Sequence, residues 1–181
     1  MVRRAAAILL ALCALAPAQP PRQSAAERQL AATTRGLVAV LKAGTPAAIM
    51  AYLSPKGVVV DMDGERAAPG EIRKQFAEKR GLYCRWFDTP CLKQEMQDQS
   101  GGVFTQRTAE PRSYRDLLRL AASSELNVSV DPDSPRQGEA SVCLRGPKLG
   151  ADGAGYLLEF GFERVGAGWK LALEEGNFAG C

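Results

Sequence analysis

One acid and two tyrosines have the side-chain chemistry and the positions to support proton transfer. Asp61 lies in a predicted strand beside Val60 and Met62, and burial in an apolar pocket would raise the pKa of its carboxyl group toward that of a general base. Tyr52 and Tyr83 could donate a hydrogen bond to a developing oxyanion. Each residue also has a structural interpretation, because strand alternation puts Asp61 on the face opposite its apolar neighbours and tyrosines often lie at core edges.

The chain contains no histidine. This excludes Ser-His-Asp and Cys-His nucleophile arrangements, imidazole general bases and histidine metal ligands. The cysteine spacings differ from the paired CxxC motifs of zinc sites. The segment Asp61-Met62-Asp63-Gly64-Glu65 resembles a fragment of a calcium loop but lacks the remaining ligands, so a turn explains it better. We therefore expect neither a metal nor a cofactor.

Arg85, Trp86 and Phe87 form a charged and aromatic cluster within a predicted loop. If it is exposed, such a cluster suits the binding of a ligand or a protein partner. If it is buried, the two aromatic side chains would anchor the loop to the core. The sequence leaves both interpretations open.

Four cysteines follow the N-terminal segment: Cys84, Cys91, Cys143 and Cys181. An even number of cysteines in an exported protein favours two disulfides, although four cysteines allow three pairings. We favour a local bond between Cys84 and Cys91. The second bond, between Cys143 and Cys181, would hold the end of the chain to a strand.

The first 18 residues have the pattern of a secretory signal peptide. Arg3 and Arg4 precede an apolar segment, and Ala16-Pro17-Ala18 supplies a small-x-small cleavage site. The apolar segment, about twelve residues long, is shorter than the roughly 20 residues of a membrane-spanning helix, so we expect cleavage and no stable membrane anchor. Residues 19–181 would then form one exported domain, periplasmic or extracellular.

Charge and composition limit the class of partner. Loss of the signal peptide removes two arginines and no acid, which changes the formal charge from +3 to +1. Basic and acidic residues alternate along the chain without a basic patch, so nucleic acid is not an expected partner. A hydrophobic content of 46% is that of a globular domain.

The hydrophobic pattern changes along the chain from helical to alternating. A capping box of Ser24 and Glu27 starts the first predicted helix. The alternation puts Glu159, Glu163, Lys170 and Glu174 on the solvated outer face of an antiparallel meander, whose apolar face requires a layer of helices. We predict helices over 24–43, 46–53, 71–80 and 113–123, a long irregular segment from 81 to 112, and strands over 57–62, 65–67, 126–131, 140–145, 156–163 and 169–174.

This order resembles the nuclear transport factor two-like, or ketosteroid-isomerase-like (polyketide-cyclase-like), superfamily. The resemblance is carried by 37–53, by 57–63 and by the closing segments Tyr156-Leu-Leu-Glu-Phe-Gly-Phe-Glu-Arg and Gly168-Trp-Lys-Leu-Ala-Leu. It implies an α+β fold, a cystatin-like roll in which a curved antiparallel sheet wraps around N-terminal helices as a cone. Residues 81–123 do not match and would be a disulfide-containing insertion. Members hold an apolar pocket or a filled core, and their enzymes commonly place Asp, Tyr or His in that pocket.

Fold resemblance alone does not assign an activity, so three functions remain to be compared. We favour a non-catalytic module that binds a small apolar ligand or a protein partner. The alternative is a carboxylate-dependent isomerase, dehydratase or hydrolase acting on a small apolar molecule, with Asp61 as the base and Tyr52 or Tyr83 as the donor. A homodimer through the outer sheet face is the third.

Overall fold

The computed structural model describes residues 23–60, 64–99, 111–149, 155–179 and 181. Within these ranges the fold is α+β, with helices and strands segregated along much of the chain. The helices are α1 (Ala25–Ala43), α2 (Pro46–Ile49), α3 (Pro69–Glu78), α4 (Leu82–Phe87), α5 (Thr89–Gln99) and α6 (Tyr114–Leu120). The strands are β1 (Val58–Val60), β2 (Arg66–Ala67), β3 (Ser123–Val130), β4 (Gln137–Arg145), β5 (Tyr156–Val165) and β6 (Gly168–Ala179).

The first helix forms as the sequence predicts. The Glu27 amide donates to Ser24 Oγ at 3.1 Å and the Ser24 amide donates to Glu27 Oε2 at 2.6 Å, which completes the capping box. The helix ends at Gly44, whose φ of 74° places it in the left-handed region favoured by glycine. One face of α1, which includes Leu30, Leu37 and Leu41, is buried.

The sheet is curved and unclosed, with the strand order β2-β1-β6-β5-β4-β3. Strands β3 to β6 form the predicted antiparallel meander. Strand β1 lies parallel to β6 and antiparallel to β2, so the complete sheet is mixed. The predicted α+β cone is therefore confirmed, with one parallel contact that the sequence pattern did not indicate.

Helices cover one face of the sheet and enclose the core between them. Tyr156, Leu158, Phe160 and Phe162 alternate inward along β5, as predicted. Helix α1 packs closely against β4. A Cβ atom added to Gly138 would lie only 2.7 Å from Leu30 Cδ2, so the glycine makes room for this contact. Burial of this apolar surface supplies the main driving force for the fold.

Strand β6 departs from simple alternation. Phe162 pairs with Leu171 and Gly161 pairs with Leu173, so Ala172 is an extra residue on β6. An inserted residue reverses which side chains face inward beyond that point. Glu174 accordingly lies opposite Phe160 and is fully buried, with an exposed fraction of 0%. The assignment of Glu174 to the solvated outer face is therefore wrong.

The segment after α3 is more ordered than the sequence pattern indicates. Over 81–99, where the sequence pattern predicts an irregular stretch, the chain forms α4 and α5, which are short and have weak helical periodicity. The part of this prediction that covers 100–110 lies outside the described residues. Trp86 and Phe87 in α4 are each about 1% exposed, and the bond between Cys84 and Cys91 joins the two helices. Tertiary packing and this covalent link stabilise helices that local propensity would leave marginal.

Both favoured cysteine pairs lie at disulfide-bonding distance. The Cα atoms are 5.1 Å apart in the pair Cys84–Cys91 and 5.8 Å apart in the pair Cys143–Cys181. The second pair connects β4 to the last residue of the chain. Across the described ranges, no helix has the length and apolar character needed to cross a membrane.

Candidate ligand-binding site

The Glu174 carboxylate is a charged group that lies fully buried on the inner face of β6. The buried Tyr114 hydroxyl donates a hydrogen bond to Glu174 Oε1. An Arg85 guanidinium nitrogen lies 3.4 Å from Glu174 Oε2. A buried carboxylate is tolerated only with such partners, because loss of its hydration is costly. We refer to Arg85, Tyr114 and Glu174 as the buried triad.

Helix α6 places Tyr114 through contacts at its first turn. Ser113 caps the helix by accepting a hydrogen bond from the Asp116 amide at 3.3 Å. The Ser113 amide donates to Thr89 Oγ1 at 2.9 Å, and Thr89 Oγ1 donates to Asp116 Oδ2 at 2.6 Å. The starts of α5 and α6 are thereby joined. The tyrosine ring also packs edge-on against Phe160, with centroids 6.0 Å apart.

Arg85 connects this triad to a surface cavity. Its side chain retains 27% of its exposure while its guanidinium approaches the fully buried carboxylate. The cavity has a volume of about 880 Å³ and lies between the β1–β2 region and helices α3 to α5. Its apolar lining includes Val60, Ala67, Leu82, Leu92 and Met96, and its polar lining includes Glu65, Arg66, Glu71, Gln75, Arg85 and Glu95.

Several of the polar lining residues hold the cavity wall together. Gln75 Oε1 accepts a hydrogen bond from the Leu82 amide at 2.9 Å, and Glu95 Oε1 accepts one from the Gly81 amide at 2.6 Å. Glu71 forms an ion pair with Arg80 at 3.0 Å. These contacts fix the start of α4, and with it the position of Arg85. The result is a pocket of mixed apolar and charged lining in which Arg85 is held in place by a buried carboxylate.

The other residues that the sequence analysis singled out occupy different positions. Asp61 lies outside the described residues. The Tyr52 hydroxyl lies against α1, where it would contact a Cβ atom added to Gly36. Tyr83 packs on Phe76 and Phe87, with centroid distances of 6.5 and 5.7 Å. Tyr52 and Tyr83 are absent from the lining of the described cavities.

The predicted aromatic cluster divides into two roles. Trp86 and Phe87 are buried and pack edge-on against Phe76 at 5.8 and 5.9 Å. They anchor α4, which is the structural interpretation that the sequence left open. Arg85 is the member of the cluster that reaches a cavity.

Sequence reasoning missed two members of the triad. Tyr114 follows the predicted helix start at Ser113, but its burial depends on packing beneath the sheet. Strict alternation predicts Glu174 on the outer face, because the extra residue at Ala172 leaves no clear mark in the sequence. The one available signal was Gly161, opposite Leu173, since a glycine inside a strand often marks a bulge.

The first disulfide and a nearby carboxylate bring together three potential metal-ligand atoms. Ligand atoms of Cys84, Cys91 and Glu95 lie within 4.8 Å of one another. Cysteine binds a metal as its thiolate, and the two sulfur atoms are joined in a disulfide. In this state the sulfur atoms join α4 to α5 and are not available as thiolate ligands.

Comparison with known proteins finds no matching family model and no matching curated protein. Among solved structures, the chain is similar to a protein from Xanthomonas campestris named as a calcium/calmodulin dependent protein kinase II association domain, with 14% identity, a TM-score of 0.39 and coverage of 84% of this chain and 86% of that one. It is also similar to a designed NTF2-like protein, with 10% identity, a TM-score of 0.43 and coverage of 84% and 99%. At these values the fold assignment rests on the element order and sheet topology given above.

Proposed function

We propose that the chain is an exported binding module for a small amphipathic molecule. The ligand would place its apolar body against Leu82, Leu92 and Met96 and an oxygen atom, from a carboxylate or a carbonyl, beside Arg85. The observation that carries this proposal is the position of Arg85, which contacts a buried carboxylate and also lines the cavity. Ordinary small-molecule sites occupy about 300–1,000 Å³, which includes the volume of this cavity.

The triad favours binding over catalysis. A general base must come within hydrogen-bond reach of the proton that it removes. Glu174 is fully buried, accepts a hydrogen bond from Tyr114 and lies against Arg85. It supports the arginine instead of facing a substrate. The isomerase, dehydratase or hydrolase alternative depends on Asp61 and would require that residue to enter the same cavity.

Export is supported by two independent features of the chain. The N-terminal segment has the pattern of a secretory signal peptide, and two cysteine pairs lie at disulfide-bonding distance. Disulfides persist in oxidising compartments. We therefore assign the mature module to the periplasm or the extracellular space.

Displacement of a fluorescent probe tests the site. The probe is 8-anilinonaphthalene-1-sulfonate, which combines an apolar body with one anionic group, and the competitors are octanoate and neutral octanol. We expect octanoate to displace the probe more effectively than octanol. The double variant Arg85→Gln/Glu174→Gln removes both charges together, so it avoids leaving a buried carboxylate without its cation.

The expected result for the double variant is at least a tenfold weaker octanoate Kd. The matched control is Arg73→Gln, an exposed arginine of α3 outside the cavity lining, which should leave the Kd unchanged. Equal displacement by octanoate and octanol, or equal affinity in the two variants, would contradict the proposal. Thermal unfolding of each variant identifies any loss of folded protein.

A further inference from the structure

The face of the sheet that points away from the helices carries a second concave surface. Val59, Leu173, Gly161, Glu139 and Ser129 pair in one continuous row across β1, β6, β5, β4 and β3. A groove of about 670 Å³ follows this row. Gly161 lies at its centre, and a Cβ atom there would come within 2.9 Å of Leu173 Cβ. The Leu173 side chain therefore lies over Gly161 and forms the middle of the groove floor.

The groove is partly apolar, and its charged lining, which consists of Asp131, Glu139, Glu163 and Arg66, is net acidic. Val59 and Leu173 are half-buried on this face, and Pro132 also lines the groove. Glu139 is exposed at the floor, and Glu163 lines the same groove. Glu159 lines a neighbouring depression of about 190 Å³ together with Glu139, Asn127 and Ser141. The two depressions share Glu139 and form one surface.

Glu139 and Glu159 are diagonal neighbours on adjacent strands, because Glu139 pairs with Gly161 and Ser141 pairs with Glu159. Their Cα atoms are expected to lie about 7 Å apart. Among the described residues, the ion pairs involve neither of these two carboxylates. Two like charges held this close repel each other, and a cation placed between them would relieve the repulsion.

We propose that this surface docks an extended basic segment of a partner protein, with lysine or arginine side chains at Glu139 and Glu159 and apolar side chains over Leu173 and Val59. Four strand spacings of about 4.8 Å give the row a length of roughly 19 Å, which fits about six extended residues. A second copy of the chain does not suit the surface, because a twofold contact would place one net acidic patch against an identical patch. The proposal does not depend on the function of the cavity on the other side of the sheet.

Fluorescence anisotropy with a labelled hexapeptide of alternating lysine and leucine tests the proposal on the full mature protein. We expect saturable binding that weakens between 50 and 300 mM NaCl, because salt screens exposed charges. The variant Glu139→Gln/Glu159→Gln should weaken the Kd at least tenfold. The control Glu78→Gln/Asp98→Asn removes the same charge from α3 and α5 and should change the Kd less than twofold.

Two further comparisons separate docking from general charge attraction. Replacing the peptide's leucines with serine should weaken binding at least fivefold, because the apolar floor then has no partner. Amide chemical-shift changes should concentrate at residues 129–131, 137–141, 159–163 and 172–173. Equal affinity of the leucine and serine peptides, equal loss in both double variants, or a homodimer that blocks the peptide would overturn the proposal.

Discussion

At the scale of single residues, two glutamates occupy contrasting environments, one in the interior and one at the surface of the sheet. Glu174 lies inside the fold against Tyr114 and Arg85. Glu163 lies on the outer face, where Ser54 Oγ donates to its Oε1 and Lys56 Nζ lies 3.0 Å from its Oε2. The hydrogen bond from Ser54, assisted by Lys56, holds the pKa of Glu163 below its ordinary value of 4.5.

This lowered pKa gives a pH-dependent prediction. Ionised Glu163 stabilises the fold above pH 4.5, and the contribution is lost as the pH falls through the lower folded-state pKa. We expect Glu163→Gln to reduce the free energy of unfolding at pH 7 by roughly 1–2 kcal/mol. Urea unfolding at pH 7 and pH 3 measures the change. The difference from the wild type should shrink at pH 3, whereas a constant difference would contradict the assigned cause.

At the scale of elements, each covalent link fixes a different part of the architecture. The pair Cys84–Cys91 joins α4 to α5, the two helices that supply Arg85, Leu92 and Glu95 to the cavity. The pair Cys143–Cys181 holds the end of the chain to β4. The sequence separations are 7 and 38 residues. The first link therefore acts on the candidate site, and the second acts on the sheet.

Loop length predicts which link contributes more to global stability. Loop-closure entropy gives about 2.5 kcal/mol for the shorter loop and about 4 kcal/mol for the longer one. We expect Cys143→Ser/Cys181→Ser to lower the midpoint of chemical unfolding more than Cys84→Ser/Cys91→Ser does. Octanoate affinity should respond in the opposite order, since the shorter loop carries Arg85. Peptide mapping under non-reducing conditions checks the pairing, and a peptide linking Cys84 to Cys143 would refute it.

At the scale of the whole molecule, the sheet separates two surfaces of different chemistry. The helical side holds a cavity with a buried ion pair at its inner wall. The opposite side presents an acidic groove along a row of paired residues. The two surfaces share Arg66 of β2 in their linings, so this residue connects the two sides of the sheet.

Export of the mature chain is the prediction that concerns the entire molecule. Expression of the full sequence in a bacterial host should release a periplasmic product that begins at Gln19, because signal peptidase cleaves after a small-x-small motif. Formation of the two disulfides removes the hydrogen atoms of their thiols, so the intact mass should be lower than that of the reduced chain by this amount. Full-length protein retained at the membrane, or a periplasmic product with free thiols, would argue against export as proposed.

Local and periodic signals in the sequence determined most of the framework. The capping box at Ser24, the stop at Gly44 and the period-two strands each depend on neighbours along the chain, so they were predictable. The cone followed from the order of these elements and from the resemblance of the closing segments. The parallel contact of β1 with β6 was not predictable, because it joins residues more than 100 positions apart.

The candidate site was decided by tertiary structure. The sequence marked Arg85 by its aromatic neighbours, yet it gave no reason to join Arg85 with Tyr114 and Glu174. The contact among these three side chains depends on the extra residue at Ala172, which turns Glu174 inward, and on the packing of α6 beneath the sheet. Residue types and periodicity determine which faces are apolar, whereas a one-residue change of register determines which carboxylate is buried, because strand side chains alternate with a period of two.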